Sequence, residues 1–133
     1  MRLYLDASAI IYSIDGPLPL RQRVYSQISL ALGSPTGAVI TSRLSRLECR
    51  VKPVRDNRQD LLDLYDLFFA APSLHLIEVG PAVIERATNV RARYKFKTPD
   101  AIHLATAIES GVDRFLTGDK DLARCTDVLV EVL

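Results

Sequence analysis

The chain has 133 residues, of which 48% are hydrophobic and 25% are charged, and its formal net charge is +1. This composition predicts one globular domain, residues 1–133, with a single sizeable core. No apolar run approaches the roughly 20 residues of a membrane span, and the opening residues become acidic too soon for a secretory signal. We therefore expect a cytoplasmic protein. The near-neutral charge neither favours nor excludes nucleic acid, so any surface that binds it must be local.

Short apolar runs alternate with longer helical patterns along the chain. The apolar runs predict five strands, at Arg2–Leu5, Ala38–Thr41, Leu74–Val79, Arg114–Thr117 and Val128–Val132. An apolar segment, Ala7–Ile14, follows the first strand directly. The helical patterns lie at Leu18–Leu32, Ser42–Val51, Asn57–Ala71, Pro81 to about Phe96, and Pro99–Ser110.

Glycine, proline and threonine mark the expected helix boundaries. Gly33 closes the first predicted helix, and Pro53 stops the second one. Thr98 is the expected N-cap of the last helix, and Gly111 its closing residue. Strands separated by helices indicate parallel βαβ units with right-handed crossovers. The predicted fold is therefore a three-layer α/β domain with a central, mostly parallel sheet of about five strands.

Acidic residues are placed to reach one edge of such a sheet. Ligands of an open parallel sheet bind beyond the carboxyl ends of its strands. Asp6 directly follows the first strand, and Asp119 follows the fourth strand across Gly118. Asp100 occupies the second position of the last helix, where free N–H groups stabilise an anion by ~0.3–1 kcal/mol. For Asp100 alone, a purely capping role and a role in a site remain equally open.

Glu48 is the acid whose predicted position most needs a partner. On the predicted helix Ser42–Val51 it shares a face with three apolar side chains, while three arginines lie on the opposite side. These apolar residues are Leu44, Leu47 and Val51, and the arginines are Arg43, Arg46 and Arg50. A buried carboxylate must be paired or bound to a metal. A salt bridge to an arginine would satisfy Glu48, but a divalent cation shared with other carboxylates is the preferred interpretation. Oxygen ligands from several segments suit Mg²⁺ or Mn²⁺.

The cysteines and histidines form no cluster that would favour a softer metal. Cys49 and Cys125 have no metal-ligand spacing, and without an export signal we expect two reduced thiols. His75 is interpreted as a structural residue. His103 follows Asp100 by three residues on the same helical face. It could donate a hydrogen bond to the site, but we expect a structural histidine whose hydrogen bonds are satisfied.

Four blocks of the sequence together resemble the PIN-domain ribonucleases, and in particular the VapC-type toxins of bacterial and archaeal toxin–antitoxin pairs. They are Leu5-Asp6-Ala7-Ser8, Leu44-Ser45-Arg46-Leu47-Glu48-Cys49-Arg50, Thr98-Pro99-Asp100-Ala101-Ile102-His103-Leu104-Ala105-Thr106-Ala107 and Phe115-Leu116-Thr117-Gly118-Asp119-Lys120-Asp121-Leu122. Each block alone is weak evidence. Together they span nearly the whole chain in the family's order, and this makes the resemblance specific.

The resemblance implies a Mg²⁺- or Mn²⁺-dependent endoribonuclease with a PIN-like α/β/α fold. The family's acidic quartet, which would be both catalytic and metal-binding, is matched by Asp6, Glu48, Asp100 and Asp119. Ser8 and Thr117 match hydroxyl residues that support the quartet, and Asp121 matches a further acid whose role stays open. The resemblance also implies a homodimer and neutralisation by a VapB-type antitoxin. The apolar stretches Ile10–Ile14 and Leu18–Leu32 agree with such contacts, because they hold more apolar surface than a small monomer easily hides.

Two basic stretches could follow an RNA backbone. They comprise Arg43, Arg46, Arg50, Lys52, Arg55 and Arg58, and then Arg86, Arg91, Arg93, Lys95 and Lys97. The residues singled out for RNA binding are Arg43, Arg46, Arg50, Arg86, Arg93 and Lys97. An ordinary solvated helix face is the alternative for each of them. Tyr94 and Phe96 could stack on bases or pack on the core.

Other functions are compatible with parts of this pattern. A non-enzymatic RNA-binding or regulatory module could keep the fold and use metal only structurally. An aspartyl-phosphate hydrolase would need a second acid at position 8, where Ser8 stands. A receiver domain would need a phospho-accepting aspartate after the third strand, where Val79-Gly80-Pro81 offers none. A DNA-directed nuclease remains open, because carboxylates do not recognise a 2′-hydroxyl.

Overall fold

The chain alternates strands with helices over almost its entire length. A computed structural model describes residues 1–133. The elements are β1 (Arg2–Leu5), α1 (Ala7–Asp15), α2 (Leu18–Leu32), β2 (Ala38–Ser42), α3 (Arg43–Arg55), α4 (Gln59–Ala70), β3 (Leu74–Ile77), α5 (Pro81–Tyr94), α6 (Thr98–Glu109), β4 (Arg114–Thr117), a short 3-10 helix (Lys120–Arg124) and β5 (Val130–Val132). None of the helices combines the length and the apolar character needed to cross a membrane.

The five strands form one parallel sheet in the order β3-β2-β1-β4-β5. The central strand β1 pairs with β2 on one side and with β4 on the other, so that Tyr4 lies opposite both Ile40 and Phe115. The chain first builds the sheet outward from β1 to β3 and then returns to add β4 and β5. The carboxyl ends of β1 and β4 therefore flank the point where the strand order reverses, which is where open α/β sheets bind ligands.

Hydrophobic cores lie on both faces of the sheet. On the first face, α1 to α4 pack against strand side chains such as Leu3, Leu5 and Leu116. On the second face, α5 and α6 pack against Tyr4 and Phe115, among others. Neighbouring residues of β1 point to opposite faces because side chains alternate along a strand. The predicted three-layer α/β/α fold is confirmed.

Two predicted helix boundaries are wrong. Pro53 does not stop its helix, because α3 continues to Arg55 with Pro53 inside it. Proline removes only its own N–H donor, and this proline is buried near the end of the helix, where later N–H groups still find acceptors. Thr98 is not the N-cap of α6, since Lys97 precedes the helix and the Thr98 hydroxyl accepts a bond from Arg91 Nε (3.1 Å). Gly111 does close α6, with a φ of 61°.

Candidate active site

The carboxylate of Asp6 is fixed at the carboxyl end of β1. Asp6 is the N-cap of α1, and its Oδ1 accepts bonds from the backbone N–H of Ala9 (2.9 Å) and from Ser8 Oγ (2.6 Å). Its Oδ2 accepts a bond from the Thr117 hydroxyl. The residue is only 5% exposed. Both oxygens are therefore held in direction by the protein itself, as an N-cap acid with a buried second oxygen requires.

Two hydroxyl side chains connect Asp6 to the segment that follows β4. Ser8 Oγ accepts a bond from the backbone N–H of Gly118 (2.8 Å), and Thr117 Oγ1 accepts one from that of Asp119 (3.0 Å). The two hydroxyl oxygens are 3.4 Å apart. The structure thus places Ser8 and Thr117 between two of the predicted acids, where they set the path of the backbone that carries Asp119.

Asp119 and Asp121 occupy different surroundings although they are two residues apart. Asp119 caps the 3-10 helix, its Oδ1 accepting a bond from the backbone N–H of Asp121 (2.9 Å). The exposed Asp121 carboxylate forms an ion pair with Arg124 (2.7 Å), and the hydrogen bond from Arg124 lowers the pKa of Asp121. The carboxylate of Asp121 is therefore paired with its own arginine, and only its backbone N–H bonds to another predicted acid.

Glu48 is half-buried, but not for the reason predicted. The side chains that α3 buries are Ser45, Cys49 and Pro53, whereas Leu47 is 60% exposed. The predicted apolar inner face is therefore wrong, because the contact between α3 and the core is made by small residues. Val51 is exposed as well.

The partner of Glu48 is a histidine, not an arginine. Nε2 of His103 lies 2.5 Å from Oε1 of Glu48, and Nδ1 of the same ring lies 2.7 Å from the Tyr4 hydroxyl. His103 is 3% exposed and Tyr4 is fully buried. Burial raises the pKa of Tyr4 well above its usual value, and the nearby charges of Asp6 and Glu48 act in the same direction. His103 is thus a hydrogen-bonding neighbour of the site, and Tyr4 is a participant that the sequence did not reveal.

Asp100 lies in the first turn of α6 and makes no side-chain hydrogen bond. Burial raises the pKa of Asp100, and the charge of Asp119 raises it further. His103 acts in the opposite direction, while Asp6 and Glu48 again raise the pKa. All three of the other predicted acids therefore act on Asp100, which means that the quartet shares one strongly negative region.

The donor chemistry of this region fits a hard divalent cation. All four side chains offer carboxylate oxygens, the ligands that Mg²⁺ and Mn²⁺ prefer. No group of three or more acids, histidines or cysteines is close enough to surround one ion directly. Mg²⁺ usually keeps several waters and takes only one or two carboxylates directly. The arrangement suits an ion held partly through water.

All five arginines singled out for RNA binding are already paired. Five of the six candidates form surface ion pairs: Arg43 with Glu78, Arg46 and Arg50 with Asp66, Arg86 with Glu109, and Arg93 with Asp127. Lys97 is exposed and has no ion pair. Of the two aromatic candidates, Phe96 is buried in the core of the second face, and the Tyr94 hydroxyl bonds to Asp127 (3.1 Å).

The lysines differ from the arginines in this respect. None of the four lysines takes part in an ion pair, and all four are exposed. Lys97 precedes Asp100 by three residues, Lys120 follows Asp119 directly, and Lys52 lies one helical turn after Glu48. Three of the four unpaired ammonium groups therefore lie next to predicted acids in the chain. Lys120 was not among the candidates, although its position beside Asp119 was a usable signal.

Several solved structures share this fold. VapBC2 from Rickettsia felis, bound to a DNA fragment from its promoter, has a TM-score of 0.81 at 14% identity, covering 99% of this chain and 98% of that chain. VapC20 from Mycobacterium tuberculosis, a Sarcin-Ricin loop cleaving toxin, has a TM-score of 0.70 at 16% identity, covering 92% and 93%. FitAcB from Neisseria gonorrhoeae has a TM-score of 0.72 at 21% identity, covering 96% and 95%.

Sequence comparison identifies the family. Among curated proteins there is no significant match. A family model, however, matches residues 3–127, from the start of β1 to just before β5, and its description is PIN domain. This match includes all four predicted acids and both hydroxyl residues that bind Asp6. The chain belongs to the PIN-domain family.

Proposed function

We propose that residues 1–133 form one PIN domain that hydrolyses RNA phosphodiester bonds with Mg²⁺ or Mn²⁺, as the toxin of a toxin–antitoxin pair. The observation that carries this proposal is the meeting of the four acids of the quartet in one negative region beside the ends of β1 and β4. A fold that served only as a scaffold would have no need for four carboxylates that repel one another. Such groups are typical of sites tuned for chemistry.

The residues of the quartet have different roles in this proposal. Asp6, Glu48 and Asp100 would hold the principal ion, directly or through water, and Asp119 would complete the site or position the attacking water. A bound divalent ion neutralises charge on the phosphate and activates a water molecule. Asp6 is suited to its role because Ala9, Ser8 and Thr117 hold its oxygens. Asp100 is suited to its role because its oxygens have no competing protein donor.

Electrostatics explain why substrate and cation must bind together. Four carboxylates repel a phosphate, so the metal-free site opposes its own substrate. A bound cation reverses the sign of the local potential. Burial is the largest cause of the raised pKa of Asp100, and the charges of Asp119, Asp6 and Glu48 raise it further. A bound cation would relieve the part of this shift that comes from repulsion.

Contact with the RNA backbone is assigned to the unpaired lysines as well as to the predicted arginines. Lys52, Lys97 and Lys120 form no ion pair, and they flank the quartet in the chain. For Arg43, Arg46, Arg50, Arg86 and Arg93 to bind RNA, each would first have to leave an acidic partner. We therefore propose the three lysines, with Lys97 common to both sets, as the first contacts of the phosphate backbone.

The toxin role rests on the solved structures that share the fold. VapC20 is a Sarcin-Ricin loop cleaving toxin, and another structure with a similar fold, at a TM-score of 0.70 and 23% identity, is a toxin–antitoxin complex from Klebsiella pneumoniae. We propose by analogy that this chain cleaves RNA in the cytoplasm, associates with a VapB-type antitoxin and forms a homodimer. Apolar side chains that α2 and α3 leave exposed support such contacts; they are Leu18, Tyr25, Leu30, Leu32, Leu47, Val51 and Val54.

Cleavage assays with matched variants test the proposed function. Purified protein would be incubated with a panel of structured RNAs and with DNA of the same sequence, in Mg²⁺, Mn²⁺ or EDTA. Asp100→Asn is the informative variant because its carboxylate makes no hydrogen bond that the fold needs. Glu85→Gln, an exposed acid on α5, is the control.

We expect metal-dependent cleavage of RNA by the unmodified protein and by Glu85→Gln, and none by Asp100→Asn. Cleavage that persists in EDTA, or that Asp100→Asn retains, would contradict the assignment. A protein that binds Mn²⁺ yet cuts nothing would favour the non-enzymatic RNA-binding module. Equal cleavage of DNA and RNA would contradict the proposed specificity for RNA, but it would leave the assignment of the active site unchanged.

A further inference from the structure

We propose that Tyr4 and His103 are positioning residues that hold Glu48 for metal binding. The Tyr4 hydroxyl donates to Nδ1 of His103, which places the imidazole proton on Nε2, and the Nε2–H group then donates to Oε1 of Glu48. The inference rests on the proposed function in one respect, because it takes Glu48 to be a metal ligand. Neither Tyr4 nor His103 would touch the metal or the RNA.

The two hydrogen bonds that lead from Tyr4 through His103 to Glu48 are largely shielded from water. The oxygen–nitrogen distances are 2.7 Å from Tyr4 to His103 and 2.5 Å from His103 to Glu48. The side chains of Tyr4 and His103 have almost no contact with water, whereas that of Glu48 is 30% exposed. The chain therefore begins in the core and ends at the surface of the candidate site.

The position of Tyr4 is fixed by its neighbours in the sheet. Its ring stacks on that of Phe115 in the adjacent strand β4, with ring centroids 5.0 Å apart and an angle of 11° between the planes. The His103 ring meets Tyr4 edge-on at 6.0 Å. Aromatic pairs in such offset or edge-on arrangements add packing energy and restrict ring rotation. Packing between β1 and β4 thus fixes the position of the Tyr4 hydroxyl that bonds to His103.

Proton counting supports the proposed direction of the hydrogen bonds. A tyrosine hydroxyl with a usual pKa of about 10 carries its proton at neutral pH. The Tyr4 hydroxyl lies 2.7 Å from Nδ1 of His103, and leaving a buried donor unpaired is costly. In the proposed arrangement Nδ1 accepts this proton. A neutral imidazole that accepts at Nδ1 carries its proton on Nε2, which is the atom that faces Glu48.

The hydrogen bond from His103 fixes the position of one carboxylate oxygen of Glu48. A glutamate side chain has three rotatable bonds, and ordering such a side chain costs conformational entropy. His103 holds Oε1, while Oε2 of Glu48 has no hydrogen bond in the protein. One oxygen is therefore positioned and the other is left free for a ligand. Hydrogen-bonding neighbours that orient a metal ligand in this way often change metal affinity about 10- to 100-fold when they are removed.

The hydrogen bonds also join the two helical layers. His103 lies on α6, on the second face of the sheet, and Glu48 lies on α3, on the first face. Tyr4 lies on the central strand between them. Glu48 and His103 are 55 residues apart in the chain, so local hydrogen bonds cannot fix the distance between them. The position of Glu48 relative to Asp100 depends on this contact across the sheet edge.

Two substitutions of His103 separate the contact to Glu48 from the contact to Tyr4. The amide nitrogen in His103→Gln is as many bonds from the backbone as Nε2, so it can still donate to Glu48. The amide in His103→Asn reaches only as far as Nδ1, so it stays beside Tyr4 and leaves Glu48 free. Tyr4→Phe keeps the stacked ring and removes only the hydroxyl. Circular dichroism and thermal melts would establish that each variant is folded.

Mn²⁺ binding by calorimetry or electron paramagnetic resonance gives the first readout, without any need for RNA. We expect His103→Asn to weaken Mn²⁺ binding by about tenfold or more, and His103→Gln to retain most of the affinity. Equal affinities of the two variants, at the unmodified level or below it, would overturn the proposal. If His103 had only a structural role, His103→Gln would bind Mn²⁺ no more tightly than His103→Asn.

The imidazole ¹⁵N resonances of His103 in metal-free protein give the second readout. We expect a neutral ring with its proton on Nε2, and loss of that preference in Tyr4→Phe. A proton on Nδ1 in the unmodified protein would overturn the proposed direction. If the unmodified protein failed to bind Mn²⁺ at all, the proposed function and the ligand role of Glu48 would fail together. The ¹⁵N measurement would still decide whether Tyr4 sets the proton of His103.

Discussion

The hydroxyl of Thr117 donates to the buried carboxylate of Asp6, although the two residues are 111 positions apart in the chain. The same oxygen of Thr117 accepts the backbone N–H of Asp119. One side chain thus connects the end of β1, the end of β4 and the acidic segment that follows β4. The strand order makes this possible, because β1 and β4 are neighbours in the sheet.

Removal of the Thr117 hydroxyl should weaken both the fold and the site. Thr117→Val leaves a buried carboxylate oxygen without its donor, and we expect a loss of about 1–3 kcal/mol in the free energy of unfolding. Urea unfolding measures this loss. Thr117→Ser keeps the hydroxyl and serves as the control, with near-normal stability. A valine variant as stable as the serine variant would show that Asp6 does not depend on this bond.

Asp100→Asn should stabilise the metal-free protein while it abolishes metal-induced stabilisation. The pKa of Asp100 is raised in the folded state, so its contribution to stability is present at low pH and is lost as the pH rises through that pKa. In EDTA, the stability advantage of the variant should therefore appear as the pH rises from acid to neutral. Melting temperatures measured across that range, with and without Mn²⁺, check both effects. A variant that is less stable than the unmodified protein in EDTA at neutral pH would contradict the prediction.

Substrate binding should depend more on the unpaired lysines than on the paired arginines. We expect Lys97→Gln and Lys120→Gln to raise KM, and each to reduce the salt dependence of RNA binding by roughly 0.7 in the slope of log K against log salt. Arg86→Gln is the control, because its charge is already paired with Glu109. The measurement is a salt titration of RNA binding to the Asp100→Asn background, which cannot cut the RNA. Equal slopes for all variants would exclude the lysines as phosphate contacts.

Gly118 should be intolerant of a side chain because of Tyr12. A Cβ added to Gly118 would lie 2.3 Å from Cε2 of the Tyr12 ring. In Gly118→Ala, either the ring or the backbone before Asp119 must move, and we expect a loss of activity with about 1–3 kcal/mol of destabilisation. Tyr12→Ala removes the clash, so the double variant should be more stable than the two single effects predict. If the two changes in the free energy of unfolding simply added, the clash with Tyr12 would not be the cause of the destabilisation.

Local patterns in the sequence were enough to predict the layered fold and part of the site. The bounds of α2, β1 and β4 are as predicted, because strong apolar runs and periodicities mark them. The positions of Asp6 and Asp119 follow from the same reasoning, since each lies just beyond a strand at the point where the strand order reverses. Short-range pattern and sheet topology determine these features together.

Features that depend on contacts across the fold were not predictable in this way. The apolar residues of α3 predicted the wrong inner face, because packing against α4 and α1 selects small side chains such as Ser45 and Cys49. The partner of Glu48 lies 55 residues away, and the ion pair of Arg43 with Glu78 spans 35 residues. No periodicity in the sequence specifies such pairs. They become visible only when the helices are placed on the sheet.

The order of the strands determines when the candidate site becomes complete during synthesis on the ribosome. A growing chain carries Asp6 long before Thr117, which lies 111 residues later, and the site is incomplete until β4 has emerged and paired with β1. Every shorter nascent chain contains an incomplete site, however well its first helices have folded. An RNA-cleaving protein assembled in this order would stay inert until β4 had been translated, and until then it could not cleave the message or the ribosomal RNA that were still producing it.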